Sequence, residues 1–116
     1  MTGGNDDRAF SFIPTNDRGN KPRTRGLTEI RGPYYSVLGR HALDDVLDTM
    51  GAYVDSVKFA GGSFLLMPKR ALRELVDRCH KAKVELSTGG CREHVLVHGP
   101  ALVERTIGEC REVGFD

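Results

Sequence analysis

The feature that most constrains this chain is a strand pattern followed by a helix pattern, repeated three times at a spacing of roughly 30 residues. The predicted strands lie near residues 27–31, 54–59 and 84–87, and the predicted helices near 40–50, 68–82 and 100–113. Strands that alternate with helices pair in parallel through right-handed crossovers. The pattern therefore predicts an α/β fold, either a closed barrel or an open doubly wound sheet.

The barrel is favoured because no Gly-x-Gly-x-x-Gly segment, the mark of dinucleotide-binding open sheets, follows the first predicted strand. A complete (β/α)8 barrel takes about 250 residues, whereas this chain has 116. We therefore predict the N-terminal portion of a (β/α)8 TIM-type barrel, with about three βα units. A three-stranded parallel sheet leaves both edges unpaired, so a homo-oligomer that completes the sheet is the alternative.

Residues 1–24 are predicted to form a flexible leader and residues 25–116 the incomplete barrel domain. The leader is rich in Gly, Asn, Asp, Arg and Pro, a composition that buries too little apolar surface to fold alone. We expect its apolar residues 10–13 to anchor it. Gly51 is expected to end the first helix in a left-handed conformation. The helices have apolar stripes, namely Leu43, Val46, Leu47 and Met50, then Leu72, Leu75, Val76 and Cys79, then Val103, Ile107, Cys110 and Val113.

Charge and composition exclude several classes of partner. A net charge of +1 gives no basic surface for nucleic acid. No apolar run approaches the ~20 residues of a membrane-spanning helix, and the first residues lack the apolar core of a signal peptide. We therefore predict a cytoplasmic protein that binds neither nucleic acid nor membranes. The three cysteines form no Cys-x-x-Cys pair and are expected to stay reduced.

Lys58 is the strongest candidate for a functional side chain. Strand alternation places Val57 and Phe59 on one face, which should meet the helices, and Lys58 on the other. Lys58 is then directed toward the barrel axis at the end of the second strand, where barrel active sites lie. A cation there predicts an anionic ligand, such as a phosphate or a carboxylate. The alternative is a lysine that reaches solvent at a strand end.

Two glycine-rich segments follow neighbouring strands. Gly61-Gly62-Ser63 comes after the second strand, and Ser87-Thr88-Gly89-Gly90 ends the third. Glycine lets the backbone approach a ligand closely, and its N–H groups can face an anion. Each segment alone is compatible with a plain turn, but two of them beside one lysine predict an anion pocket.

Arg31 and His94 complete the candidate set. Arg31 and Glu29 share one side of the first strand, and we expect an inward ion pair near the barrel mouth, with an outward orientation as the alternative. His94 follows the second glycine loop and is expected to reach a ligand. His94 and His98 have the i, i+4 spacing of a metal site on a helix. However, Gly99-Pro100 is expected to end the helix near His98, so we predict no metal site there.

Several segments resemble the phosphosulfolactate synthase family over about residues 21–116. They are Arg25 to Thr28, Tyr53 to Phe59, Gly62-Ser63 and Gly89-Gly90. The resemblance implies a (β/α)8 barrel that uses Mg2+ and adds sulfite to phosphoenolpyruvate, giving (2R)-phospho-3-sulfolactate for coenzyme M biosynthesis. It also implies that Lys58 is catalytic, by neutralising enolate-like charge or protonating carbon. The other candidates would bind the small anionic substrate: Arg31, Gly61, Gly62, Ser63, Ser87, Thr88, Gly89, Gly90 and His94.

The first strand departs from the pattern that this resemblance implies. Gly32-Pro33 stands where the synthases would have an Asp-Lys pair, which removes a carboxylate that Mg2+ would favour. The segments from Arg31 to Tyr35 and from Phe59 to Phe64 instead resemble a subgroup that includes the plant heat-stress-associated protein. Two functions are therefore expected: a synthase-like lyase, inactive at this chain length, or a diverged, non-catalytic barrel acting in heat-stress tolerance.

Overall fold

The computed structural model describes residues 8–32 and 38–116. In that part of the chain three short strands are present, β1 (Glu29–Gly32), β2 (Ser56–Phe59) and β3 (Glu85–Ser87). They form one parallel sheet in the order β1-β2-β3. The predicted parallel α/β architecture is therefore confirmed, while closure into a barrel and the division into leader and domain stay predictions.

The helices of the described residues are α1 (Arg40–Met50), α2 (Lys69–Lys81), α3 (Cys91–Leu96) and α4 (Pro100–Val113). Two 3-10 segments, Gly51–Tyr53 and Ala60–Leu66, flank β2. Strands β1 and β2 begin later than predicted, because the N–H groups of Asp55 and Ser56 both donate to the Thr28 carbonyl, 2.8 and 3.2 Å away, before their regular ladder starts. None of these helices combines the length and apolar character needed to cross a bilayer.

The prediction for Gly51 is wrong. Its φ and ψ are −56° and −33°, and the chain continues directly into the 3-10 segment. A left-handed glycine ends α4 instead, where Gly114 has a φ of 105° and donates to the carbonyls of Cys110 and Arg111. A Cβ atom at Gly114 would lie 2.8 Å from Val76 Cγ1, so this glycine lets the end of α4 approach α2 closely.

The core lies between one face of the sheet and the helices. Val57 and Phe59 of β2 and Leu86 of β3 are at most 1% exposed, and they meet Leu43 of α1 and Leu75 of α2 in a single cluster. Complete burial of such a side chain contributes about 1.5–3 kcal/mol to stability. The helices therefore cover the apolar face of the sheet, as the alternation in β2 predicts.

The apolar stripe predicted for α4 is only partly buried. Val113 is buried, Val103 and Cys110 are partly buried, and Ile107 is 51% exposed. Val103 and Ile107 line an open groove of about 360 Å3 between α3 and α4. The stripe is therefore fully buried only at Val113, while Val103 packs against the edge of the core.

The N-terminal segment is attached to the body by polar side chains. The predicted apolar anchor is wrong, because Phe10, Phe12 and Ile13 are 69%, 81% and 51% exposed. Arg18 and Arg23 instead make ion pairs of 3.1 and 2.7 Å with Asp55, just before β2. Residues 18–23, which we call the strap, therefore contact the N-terminal end of the sheet.

Asp55 is the central acceptor at this end. Besides the two arginines, it accepts a 2.8 Å hydrogen bond from the Thr28 backbone N–H. Burial alone would raise the pKa of Asp55, but the Thr28 amide and the guanidinium groups of Arg23 and Arg18 outweigh it and hold the pKa below its ordinary value. The carboxylate is therefore stabilised in its charged form.

Lys21 joins the strap to two helix ends. Its Nζ atom donates to the carbonyls of Gly51 and Ala82, at 2.7 and 2.9 Å. These residues directly follow α1 and α2, where backbone carbonyls lack helical partners and a cation is favourable. Burial lowers the pKa of Lys21, although the nearby Asp55 carboxylate opposes that shift.

Candidate anion-binding site

The face of the sheet opposite the helices carries two polar rows. Register pairing aligns the residues of each row across the three strands, and aligned residues of parallel strands point to the same face. No member of either row is fully buried. The row at the C-terminal end is Arg31, Lys58 and Ser87, and the row two residues earlier is Glu29, Ser56 and Glu85.

Lys58 is half-buried in the C-terminal row. Within residues 8–32 and 38–116, its Nζ atom makes no hydrogen bond or ion pair. An ammonium group without a protein acceptor at this position is available to pair with a bound anion. Lys58 thus has the orientation that strand alternation predicts and the environment expected of a ligand-binding cation.

Gly89 packs directly on the Lys58 side chain. Its φ is 60°, in the left-handed region. A Cβ atom at Gly89 would lie 2.7 Å from the Phe59 carbonyl oxygen and 3.1 Å from Lys58 Cγ. Only glycine fits here without displacing backbone. The loop after β3 therefore lies against the end of β2, so the two elements meet at one end of the sheet, as predicted.

The loop after β2 lies in the 3-10 segment Ala60–Leu66, which contains the predicted residues Gly61, Gly62 and Ser63. A Cβ atom at Gly62 would be 3.7 Å from Cys91 Sγ, at the start of α3. Ser63 Oγ is buried and has no hydrogen-bond partner in the described part of the chain. Such a hydroxyl group is costly unless a partner satisfies it, which fits the predicted substrate-binding role of this loop.

Ser87, Thr88 and Gly89 line a cavity of about 510 Å3 with residues of α3 and α4. Arg92 and Arg111 also line it. Sequence reasoning missed both, because an isolated arginine on a polar helix face is indistinguishable from a solvated one. The cavity gives the loop after β3 an open, partly basic surface.

The contacts of Gly90 and His94 give less support for a role in the candidate site. A Cβ atom at Gly90 would be 3.7 Å from a Glu93 carboxylate oxygen and would meet nothing closer. His94 is exposed on α3 and contacts His98, and it is absent from the cavity lining. The structure therefore unites Lys58 with Arg31, Ser87 and Gly89, while ligand contact by Gly90 and His94 stays a prediction.

The row two residues before Arg31 and Lys58 contains two carboxylates, those of Glu29 and Glu85. Glu29 Oε2 accepts a 2.8 Å hydrogen bond from Ser56 Oγ, and Glu85 is aligned with Ser56 on the other side. Glu29 and Arg31 thus lie on the same face of β1, as predicted. Pro33, which belongs to the departure from the synthase pattern, lies with Tyr34 and Tyr35 outside the described residues.

The cysteines do not supply a nucleophile to this site. Cys79, Cys91 and Cys110 are free thiols. Burial raises the pKa of Cys79 to about 12, and burial also raises the pKa of Cys91 and of Cys110. Thiols whose pKa is raised stay protonated at neutral pH and react poorly.

Ligands for Mg2+ are not identified among the described residues. They contain no group of three or more histidine, cysteine, aspartate or glutamate side chains placed to hold an ion together. Mg2+ prefers a near-octahedral set of oxygen ligands, and the aligned carboxylates Glu29 and Glu85 are separated by the whole of β2. The metal that the resemblance implies therefore has no identified ligand set here.

The fold and the site together define a class: a βα-repeat protein with an anion-binding candidate at the C-terminal ends of its parallel strands. The family model described as (2R)-phospho-3-sulfolactate synthase (ComA) matches residues 16–116. Because this match covers most of the chain, the protein belongs to the phosphosulfolactate synthase family.

Two relatives indicate which branches of the family the chain resembles. It is 42% identical over 106 residues to Protein HEAT-STRESS-ASSOCIATED 32 of Arabidopsis thaliana, a match that covers 91% of this chain and 37% of that protein. It is 31% identical over 108 residues to Phosphosulfolactate synthase of Methanothermobacter thermautotrophicus, covering 93% of this chain and 40% of the relative. The chain thus spans about two-fifths of the length of these curated relatives.

Proposed function

We propose that the C-terminal ends of β2 and β3 bind the anionic groups of a phosphorylated three-carbon acid, as part of a phosphosulfolactate synthase-like protein. One observation carries the proposal. Lys58 is half-buried without a partner in the described chain and lies in register with Arg31 and Ser87. A carboxylate or a phosphate is the ligand that two cations and a hydroxyl group suit.

The proposed reaction is the addition of sulfite to phosphoenolpyruvate. The sulfur lone pair bonds to C3, the π electrons of the double bond move toward C2 and the carboxylate, and C2 then takes a proton. Negative charge grows on the carboxylate as the C–S bond forms. Lys58 would stabilise that charge or supply the proton, a role that fixed charges perform well where water is excluded.

The loops have a positioning role in this proposal. Gly89 fixes the Lys58 stem by contact, and Ser63 Oγ offers a hydrogen bond that the described chain leaves unused. These roles belong to the chain's own residues, and ligands for Mg2+ are not identified among the described residues. Catalysis is proposed for a polypeptide of family length, whereas anion binding is proposed for this chain.

Binding is tested by titrating phosphoenolpyruvate into residues 1–116 by calorimetry, with Lys58→Met as the variant. Lys81→Met is the matched control, since Lys81 is an exposed lysine on α2. We expect at least about tenfold weaker binding by Lys58→Met and unchanged binding by Lys81→Met. Equal affinity in the two variants, or no binding by the unmodified chain, would refute the proposal.

The identity values favour a second candidate, a diverged barrel that kept an anion site but not the synthase reaction. Identity to the plant heat-stress-associated protein is 42%, against 31% to the synthase. Phosphorus NMR of a family-length protein with phosphoenolpyruvate and sulfite separates the two. A sulfite-dependent new phosphorus signal supports the lyase, whereas binding without turnover supports the diverged relative.

A further inference from the structure

His94 and His98 form a side-chain pair outside the strand row that contains Lys58. His94 lies in the last turn of α3, and His98 follows two residues after the helix ends at Leu96. The helix ends close to His98, as expected, but His98 N–H still donates to the Val95 carbonyl at 3.0 Å and Gly99 N–H to the Leu96 carbonyl at 3.3 Å. The chain keeps winding past Leu96, which holds the two rings on one side.

The geometry of the pair matches that of two imidazoles on one ion. The ring centroids are 5.4 Å apart and the ring planes meet at 74°. Two imidazoles bound tetrahedrally at metal–nitrogen distances of about 2.0–2.1 Å have ring centres about 5 Å apart. The separation of the two rings is therefore close to the separation that binding to one shared ion requires.

The two other histidines each have one ring nitrogen engaged by a neighbouring side chain, whereas, among the described residues, His94 and His98 do not. His80 Nε2 contacts Asp116 Oδ2 at 2.8 Å, and His41 Nε2 accepts a hydrogen bond from Arg40. In the described part of the chain neither His94 nor His98 makes a hydrogen bond, and both are exposed. Nothing in that part of the chain needs to be displaced before these imidazoles can bind a ligand.

We propose that His94 and His98 form a two-histidine site for a late first-row divalent cation, such as Ni2+, Cu2+ or Zn2+. Imidazole suits these ions, whereas Mg2+ selects oxygen ligands. The site presents two protein ligands and leaves the remaining coordination positions to water. Neither Lys58 nor the Mg2+ that the family resemblance implies belongs to this proposed site.

The test is a titration of residues 1–116 with NiCl2, followed by the imidazole proton signals in NMR spectra and by calorimetry. The variants are His94→Gln and His98→Gln, and His41→Gln is the matched control because it removes an exposed histidine from α1. Lys58→Met is included to separate this site from the anion site. MgCl2 at the same concentrations controls for general charge effects.

We expect Ni2+ to broaden the signals of His94 and His98 together and MgCl2 to leave them unchanged. Each of the two variants should bind Ni2+ at least about tenfold more weakly, since one arm of the chelate is lost. His41→Gln and Lys58→Met should bind Ni2+ as tightly as the unmodified chain. Undiminished binding by His98→Gln, or Ni2+ broadening confined to other residues, would overturn the proposal.

Discussion

Lys21 and Lys58 lie at opposite ends of the parallel sheet and differ in their contacts. At the N-terminal end Arg18 and Arg23 are paired with Asp55, and Lys21 donates to two backbone carbonyls. At the C-terminal end Lys58 has no acceptor in the described residues. Both ends lie beside the same core, so the difference is not one of burial alone.

This difference indicates that the N-terminal end of the sheet stabilises the fold, whereas Lys58 at the C-terminal end is available to bind a ligand. Charge-assisted hydrogen bonds at the N-terminal end tie the strap to the sheet and to α1 and α2. A lysine without a partner adds nothing comparable to stability, but it keeps its full capacity to bind an anion. Substitutions at the N-terminal end should therefore change stability, and substitutions of Lys58 should change ligand binding.

The largest effect is expected from Gly89→Ala, which connects the two strand ends at the proposed site. The new methyl group would overlap the Phe59 carbonyl oxygen and press on Lys58, at a φ that disfavours alanine. We expect a loss of about 3 kcal/mol in the free energy of unfolding, measured by urea denaturation. Gly90→Ala, whose Cβ atom would make only an ordinary 3.7 Å contact with Glu93, should stay within about 0.5 kcal/mol, and an equal loss in both variants would contradict the Gly89 contact.

The second-largest change in stability is expected at the N-terminal end of the sheet. Asp55→Asn removes the charge that two arginines share while keeping the side-chain shape. We expect a loss of about 2 kcal/mol, seen as a lower urea midpoint with an unchanged slope. Asp77→Asn, at an exposed position on α2, is the control and should change the midpoint little. A neutral Asp55→Asn variant would mean that the strap does not hold the sheet.

Acid should weaken the same contact in the unmodified chain. The pKa of Asp55 is lower in the folded state than its ordinary value, which is about 3.9 in an unfolded chain. The stabilisation is therefore fully present above that value and disappears as pH falls through the lower, folded pKa. Urea unfolding at pH 6 and at pH 3 should show the difference between the unmodified chain and Asp55→Asn shrinking at pH 3. A constant difference would place the stabilisation elsewhere.

The smallest effects compare the two lysines directly. Lys21→Met removes two hydrogen bonds to carbonyls and should cost about 1 kcal/mol, since loss of the desolvated charge offsets part of their value. Lys58→Met should leave stability unchanged or raise it by about 0.5 kcal/mol. Thermal unfolding of both variants measures these two changes in stability. A larger loss of stability in Lys58→Met than in Lys21→Met would show that Lys58 has a structural partner.

Periodicity predicted much of the sheet-and-helix pattern but not what fixes the strand ends. Helix α1 spans the predicted residues, and the alternation in β2 gave the correct face for Lys58. The role of Asp55 was not predictable, because its partners Arg18 and Arg23 lie over 30 residues away in the chain and resemble a disordered leader in composition. Gly51 was misassigned because the chain continues as a 3-10 turn, which a glycine signal does not distinguish from a left-handed cap.

The candidate site, too, was only partly predictable from the sequence. Glycine content suggested a ligand loop at residues 87–90, but it could not separate Gly89 from Gly90. Only the contact of Gly89 with the Phe59 carbonyl and the Lys58 stem does so. Likewise, the i, i+4 spacing indicated that His94 and His98 could form a pair, but whether their rings meet depends on the path of the chain after α3. Local patterns indicate candidate residues, and tertiary contacts decide among them.

The most direct measurement follows the side-chain signals of Lys21 and Lys58 in residues 1–116 carrying isotope-labelled lysine, during an NMR titration with phosphoenolpyruvate. The Lys58 signal should move in a saturable way, because its ammonium group gains an anionic partner, while the Lys21 signal stays fixed in its carbonyl contacts. A Lys58 signal that does not move, or a Lys21 signal that moves as far, would contradict the proposal that Lys58 binds the anion while Lys21 stays bound to backbone carbonyls.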